Sequence, residues 1–588
     1  MGSRGCPPGQ PRGICQGWHQ KMPSRPTGVT RSRRMSPTSS MQCAASLGAG
    51  LLLSVLSVSM SASSSAMAAQ ATSSTSSISP ASQDEQILRI ANGAEPGSLD
   101  PQQTSGTWET RIVRDLFEPL IAYSADGELI PGLAERWESS ADGRIWTFHL
   151  RAGLVWSDGT PLTAEDAVFA LRRLLTPATA AHNATLYYPI VNARAVNTGA
   201  LPPDQLGVAA PDAQTLTITL SHPSATLAQT LAMSEAAPLP RHVIVANGAD
   251  WTRPANMVTS GAFVLKEWAP QSHITLTPNA RYHGAQNVTL DEVVYLPIEE
   301  SHAALNRFRA GEVEIAYGVP ASHYAWIQDN LAEALHTYPI LGEYFYVFNL
   351  REGSPVADRR IRRALNLATR REVITERILG MGQIPSWHFV PEALSEHQGA
   401  RFDFADWSMD RRMAKARELM ADAGYGPDHP LELTLRYNTL EDHKKIAVAL
   451  GAMWKPLGVH VTLTNTEAAV HYRDLALGDF EVGRYGMIAT IADAYDFLNA
   501  FSSNNTSNAP GLSSPAYDAL IEAAAREGDD DARRQQLHDA EQYLLDHDVV
   551  LPLYDYVTSS LVTPAISGWA PNALDVHPSR YLHIDTSH

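Results

Sequence analysis

The sequence predicts an α/β protein of two or three lobes built on mixed sheets, and three observations carry that expectation. A chain of 588 residues is longer than one hydrophobic core supports. Between Gly342 and Asp555, segments of strand and helix periodicity alternate, as in a lobe with helices packed on a mixed sheet. Between Trp146 and Leu175 a half-buried strand, a turn and a capped helix follow one another. Hydrophobic residues at 44% and charged residues at 18% place the chain with soluble globular proteins. No repeat of 20–50 residues points to a solenoid.

The elements follow in order. Ile87-Leu88-Arg89-Ile90 alternates as a short strand. Trp146, Phe148 and Leu150 alternate with Thr147 and His149, the period of a half-buried strand. Ser157-Asp158-Gly159 is turn chemistry, with Gly159 free to take positive φ. Thr163 then caps a helix, Asp166 stands three residues on in a near capping box, and Ala164, Val168, Leu171 and Leu175 form its apolar face. Ile361, Leu365 and Ala368 give another helix one apolar face. Ser408 caps a third, with Met413, Ala416, Met420 and Ala423 as its buried side and Gly424 at C′. A helix from Asp442 to Trp454 precedes a strand over Val459–Leu463. Asp479–Asn499 reads as a buried strand, Phe480 to Val482, opening into a loop and then a helix.

Charge and cysteine restrict function. The net charge is -18; residues 1–34 hold seven basic side chains and no acid, and residues 35–68 hold no charge, so the remainder carries -25. A body this acidic repels phosphate backbones, which argues against nucleic-acid binding. Ala44–Val58 is an apolar run followed by Ala66-Met67-Ala68, so residues 1–68 read as a signal peptide with an upstream basic segment and Ala69 as the first mature residue. Ser32-Arg33-Arg34 resembles a twin-arginine signal, but Met35-Ser36-Pro37 continues it poorly, so Sec export to the periplasm is expected. Residues 69–85, rich in Ser, Thr and Ala, read as a disordered leader. Cys6, Cys15 and Cys43 all precede Ala69, leaving the mature chain without a disulfide or thiol nucleophile. Neither H-E-x-x-H, G-x-S-x-G, a P-loop nor a dinucleotide glycine pattern occurs, so no enzyme is expected.

Four stretches, Gly153–Leu175, Met257–Trp268, Asp358–Ala368 and Tyr437–Gly458, together resemble the periplasmic oligopeptide-binding proteins of ABC importers, the family 5 extracellular solute-binding proteins. The resemblance runs from Arg89 to His583 and rests on the order and spacing of many blocks. It implies a two-lobed, three-domain periplasmic-binding-protein-like fold with a hinge: lobe I from 86–117, 242–341 and 557–588, a lobe II insertion at 118–241, and lobe III at 342–556. The ligand would lie between lobes I and III, which close around it. The implied ligand is an oligopeptide or peptide-like molecule, the implied partners are ABC permease subunits, and the implied receptor is a monomer without cofactor or metal. Rival readings are the same fold holding a nickel chelate, haem, glutathione or an opine, an extracytoplasmic chaperone, and a secreted hydrolase.

The resemblance also assigns residues. Arg484 would face the ligand, its guanidinium suited to a carboxylate or carbonyl; the alternative is a structural ion pair with an acid such as Glu481. Tyr485, Gly486 and Met487 continue the same cleft-lining segment. His443 matches a histidine near the ligand's C-terminal end, though a capping role is equally open. Gly106 and Thr107 match a segment that pairs with ligand backbone as an added strand, and Trp108 beside them would pack into the lobe. Several positions depart from the pattern. Thr490 replaces an aspartate that pairs with the peptide's α-ammonium, leaving Asp493 or Asp496 to take that part. Leu475 and Leu379 replace basic residues, Val347 and Ser105 replace glutamates, and Ala468 and Met487 replace tryptophans. Gly342 and Ile488 stand where the family has two bridging cysteines. A roomier cleft with fewer charges, suited to larger, modified, cyclic or cell-wall peptides, is what these changes imply.

Overall fold

The computed structural model describes residues 85–394 and 399–585. The expected signal peptide, its cleavage motif and the leader up to Asp84 lie outside the described residues. The dominant feature is an eleven-stranded mixed sheet. Its strands, numbered in chain order, are β1 (Ile87–Ala91), β2 (Phe263–Ala269), β3 (His273–Pro278), β4 (Glu292–Leu296), β5 (Ile315–Tyr317), β6 (Leu335–Phe348), β7 (Ile384–Pro385), β8 (Leu431–Asn438), β9 (Val459–Thr466), β10 (Val482–Ile488) and β11 (Val550–Val562). Across the sheet they run β9-β8-β10-β6-β11-β5-β1-β4-β3-β2, with β7 also paired to β11.

β6 and β11 are long, 14 and 13 residues, and pair antiparallel from Leu335↔Leu561 to Val347↔Val550. At one end β11 meets β5; at the other, β6 meets β10, Gly342↔Ile488 through Phe348↔Val482. Of three hydrophobic cores, two are linked directly by β11, and β6 joins the second of them to a small third one beside Leu335 and Leu561. The first gathers Leu116, Phe117, Trp156, Trp251 and their neighbours, with Val562 and Leu582 from the far end of the chain. The second gathers Tyr344, Phe345, Trp454, Tyr517 and Leu551. A separate four-stranded antiparallel sheet, ordered Ala134–Ser139, Ile145–Leu150, Thr215–Thr219, Val208–Asp212, packs on the first core.

Local expectations hold where the signal is local. Phe148 and Leu150 are buried on alternate positions of their strand, Gly159 has φ of +94°, and the helix runs Ala164–Leu174 with its apolar face buried. The Asp166 carboxylate reaches back to accept the Thr163 N–H at 2.9 Å. Ser408 caps Met409–Asp422 by accepting from the Arg411 N–H, and Gly424 follows the helix with φ of +90°. On that helix Ala416 and Met420 are buried, but Met413 and Ala423 are half-exposed and Arg412 is buried instead. The Arg412 guanidinium donates to the Thr369 carbonyl and lies over Trp387, which is why a charged residue can take that place.

The strand expected at Phe480–Val482 instead begins at Val482 and runs through the expected loop to Ile488; Phe480 and Glu481 precede it. Gly483 and Gly486 hide it from a propensity reading, because glycine is a poor strand former in isolation. Seven consecutive pairings with β6 supply what local preference lacks.

Asp166→Ala removes the acceptor for the Thr163 N–H. It is expected to lower stability by about 1 kcal/mol, read as a shift of the urea midpoint at unchanged slope.

Candidate ligand-binding site

Side chains alternate along β10, so Arg484 and Gly486 face one side while Tyr485 and Met487 face the other. Arg484 stands opposite Tyr346 and Gly486 opposite Tyr344. Tyr554 stacks on Tyr344 at 4.7 Å and Tyr556 meets the same ring edge-on at 6.1 Å, so β11 adds two more rings to this face. A methyl group on Gly486 would stand 2.8 Å from the Tyr556 hydroxyl and 2.9 Å from Arg484 Nη2. Glycine there makes room for the arginine to lie along the sheet.

Arg484 is only 7% exposed. Its Nη1 donates to Asn438 Oδ1 at 3.3 Å and to the Tyr472 hydroxyl at 2.8 Å, and its Nη2 donates to the Tyr556 hydroxyl at 2.7 Å. The guanidinium carbon lies 4.5 Å above the Tyr344 ring, a cation–π contact. All these partners are neutral. Glu481, the acid next to it in sequence, instead accepts the Thr434 N–H at 2.6 Å, and none of the ion pairs among the described residues involves Arg484. Burial works against the charge, but the surrounding tyrosines hold the guanidinium's pKa above its ordinary value. Tyr472 and Tyr556 use their oxygens to accept from Arg484, which leaves each hydroxyl proton free to donate. Among the described residues no partner meets hydrogen-bond geometry at Arg484 Nε or at the buried hydroxyls of Tyr344 and Tyr346, which lie against each other. The site is therefore rich in donors and built around a cation, which suits a carboxylate or a carbonyl.

His443 lies in the helix Glu441–Trp454, its ring 5.5 Å from that of Tyr344. Its Nδ1 faces the Asn438 carbonyl at 3.0 Å, so the neutral ring donates there and keeps Nε2 as an acceptor. Burial, and then the Arg484 charge, push its pKa down to about 4. Asn438 thus holds Arg484 with its side chain and His443 with its backbone.

The other expected residues divide. Tyr485 packs on Phe345 and Tyr472, both at 5.4 Å, and Met487 is half-buried against the same core. Gly106 caps the helix Thr107–Leu116. Its N–H donates to Glu109 Oε2 at 3.0 Å and its carbonyl accepts from Thr110 N, so both main-chain groups are already used. Glu109 also accepts from the N–H groups of Gly97 and Ser105, which ties residues 97–106 to that helix. Thr107 is exposed, and the half-buried Trp108 folds its ring over Gly106, where a methyl group would stand 2.4 Å away. Among the described residues no hydrogen bond joins this corner to Arg484.

Thr490 is exposed and donates its N–H to Asp496 Oδ2 at 2.7 Å. Asp493 is committed elsewhere: Arg533 binds both its oxygens at 2.8 Å. Of the two carboxylates offered as substitutes for the ammonium partner, Asp496 has no cation partner among the described residues. Burial raises its pKa against the N–H groups of Thr490 and Ile491. Leu475 and Val347 are buried, and both pack at Gly483. Gly342 and Ile488 are directly paired across β6 and β10. Tyr344, Tyr472, Tyr556 and Asn438 were not expected from the sequence. The Tyr-x-Tyr pattern at 344–346 and again at 554–556 is a period-2 signal that pointed to one aromatic face.

The fold is that of a solute-binding protein. The chain belongs to the bacterial extracellular solute-binding proteins, family 5, whose pattern it matches over residues 128–509. It is 37% identical to the periplasmic murein peptide-binding protein MppA of Escherichia coli K12 over 86% of this chain and 94% of that one. The periplasmic oligopeptide-binding protein OppA of Salmonella typhimurium is 36% identical over 83% of this chain and 90% of its own. The probable deoxycholate-binding periplasmic protein YgiS of Escherichia coli K12 is 37% identical over 85% and 94%. The solved unliganded open form of MppA covers 85% of this chain and 98% of its own with a TM-score of 0.78 at 36% identity.

The depressed His443 pKa has a sign that can be checked. The folded chain binds a proton there less readily than the unfolded chain, whose imidazole titrates near 6.5. Between about pH 4 and 6.5 the unfolded state therefore carries more protons, and this residue's contribution to stability falls as the pH drops through that window. His443→Gln is expected to flatten this part of the profile of urea midpoint against pH. An unchanged slope would contradict a neutral, buried His443.

Proposed function

We propose that this protein is a periplasmic receptor that captures short peptides or peptide-like molecules bearing a carboxylate and delivers them to an ABC-type permease. The observation that carries the ligand chemistry is Arg484: a buried cation, bonded only to neutral groups, beside tyrosine hydroxyls with protons to donate. A ligand carboxylate completes that charge, and a peptide carbonyl is a weaker substitute. The relatives named for murein peptides and oligopeptides support peptides as the class. In this reading the ligand lies between lobe I (86–117, 242–341, 557–588) and lobe III (342–556), with the 118–241 insertion to one side. β6 and β11, the two long strands that link the cores, are the segments about which the lobes would close. Closure couples capture to docking on the permease.

A second reading has a specific basis. Thr490, Leu475 and Val347 place no charge where recognition of free peptide termini would use one, and Asp493 is held by Arg533. A carboxylate-bearing molecule that is not a peptide, such as the bile acid for which one relative is named, would satisfy Arg484 equally.

Native mass spectrometry of the protein purified from periplasm separates the two. A ladder of co-purifying masses that fragment as short peptides is the expected result, and a single non-peptide mass would replace the peptide reading by the second. In either case Arg484→Ala is expected to cost about 2–5 kcal/mol of binding free energy, a tens- to thousands-fold rise in Kd by calorimetry. Arg484→Lys, which keeps charge but loses the planar fork, should fall between. Unchanged affinity in Arg484→Ala would remove this residue from the site.

A further inference from the structure

The face of β6 and β11 opposite the tyrosines carries a second unusual cluster. Glu343 and Asp555 are directly paired across the two strands, and both are 0% exposed. Among the described residues no donor meets hydrogen-bond geometry at either carboxylate oxygen of Glu343, which lies against the Asp555 carboxyl group. Asp555 Oδ1 meets His388 Nε2 at 2.8 Å, while its Oδ2 accepts the Glu392 N–H at 3.0 Å. His388 is itself buried, in the segment that follows β7, and its Nδ1 lies 3.6 Å from Glu392 Oε1. One donor atom each from Glu343, His388 and Asp555 lies within 4.8 Å of the other two.

Two carboxylates taken wholly out of water need positive charge, and one imidazole supplies at most half of it. Arg371, a fully buried arginine, adds a favourable charge at Glu343 but bonds elsewhere, its Nε donating to the Pro552 carbonyl at 2.8 Å and its Nη2 to Asn366 Oδ1 at 3.2 Å. One imidazole nitrogen and two carboxylate oxygens from three separate segments form a donor set for zinc-like ions. Magnesium and calcium favour more numerous, all-oxygen ligands. Bonds of about 2.0–2.2 Å require the three donors to draw together around the ion. Glu392 stands where a second carboxylate orients a metal-binding histidine through its other nitrogen.

We propose that Glu343, His388 and Asp555 bind one divalent transition-metal ion of the zinc class, which clips β6, β11 and the segment after β7 together behind the ligand-binding face. The alternative is a proton held between the two carboxyl groups, and it predicts no response to metal.

The test uses untagged full-length mature protein, stripped with EDTA and titrated with ZnCl2. The expected result is a saturable rise in Tm and a single calorimetric site at one equivalent. Loss of an outer-shell partner already costs about 10–100-fold in metal affinity, so Glu343→Gln and His388→Gln should each raise the zinc Kd at least about 100-fold. Glutamine at 343 keeps the shape and removes a buried charge, so that variant is expected to fold, with far-UV circular dichroism as the control. In the unmutated protein, Co2+ provides an independent readout through visible d–d absorption that zinc displaces. A flat zinc titration, zinc binding that survives both substitutions, or no d–d absorption at saturating Co2+ would each overturn the proposal.

Discussion

Keeping the Arg484 charge almost out of water with no acid beside it is the constraint around which this half of the structure is arranged. A guanidinium cannot escape burial by losing its proton, so the protein must solvate it with dipoles. Asn438 from β8, Tyr472 from a helix, and Tyr344 and Tyr556 from β6 and β11 do so. They converge only because β8, β10, β6 and β11 lie side by side in one register. A slip of one residue between β6 and β10 would turn the tyrosines to the opposite face and leave the cation facing Phe345 and Glu343. Neutral dipoles lower the cost of burial but do not cancel the charge, which in the proposed function is left for a ligand anion to meet.

The same strands carry the opposite imbalance on their other side. Glu343 and Asp555 alternate with Tyr344, Tyr554 and Tyr556, so strand periodicity alone sends the cation and the acids to opposite faces. An Arg484–Glu343 pair would have settled both charges at once, and the geometry of a pleated strand forbids it. Each face is left to find its own counter-charge. Elsewhere the chain meets the same need internally, as Arg533 does for Asp493 with two bonds of 2.8 Å. On these two faces the pairing among the described residues is less complete: His388 meets Asp555 at 2.8 Å but not Glu343, and Arg484 meets neutral groups alone.

What the sequence makes legible follows from how far apart the partners lie along the chain. The helix at Ala164 is legible because its cap, its reaching carboxylate and its apolar face all fall within Thr163–Leu175. β10 was placed too early, on Phe480–Val482, because the glycines after Val482 look like a loop until β6 is placed beside them. Arg484 was singled out by resemblance, but its partners lie at 438, 472 and 556, and nothing local distinguishes an arginine held by tyrosines from one paired with Glu481. For Asp493 the deciding fact, Arg533, is forty residues away in sequence. Gly342 and Ile488, matched to a pair of bridging positions, do face each other across the strands. Gly106 was expected to offer its backbone to a ligand, and a helix cap already uses that backbone.

His443 shows how the unmet charge would reach beyond the cation itself. Burial and the positive field of Arg484 both hold its ring neutral, with Nδ1 donating to the Asn438 carbonyl. A carboxylate seated on Arg484 cancels much of that field at the ring while leaving the burial, so the imidazole binds a proton more readily when the ligand is present. Linkage makes the effect reciprocal: whatever binding adds to proton affinity at His443, protonation adds to ligand affinity. A ligand without an anionic group would leave the field in place and His443 uncoupled. The proton taken up on binding, a quantity separate from affinity, therefore reports whether it is a carboxylate that completes Arg484.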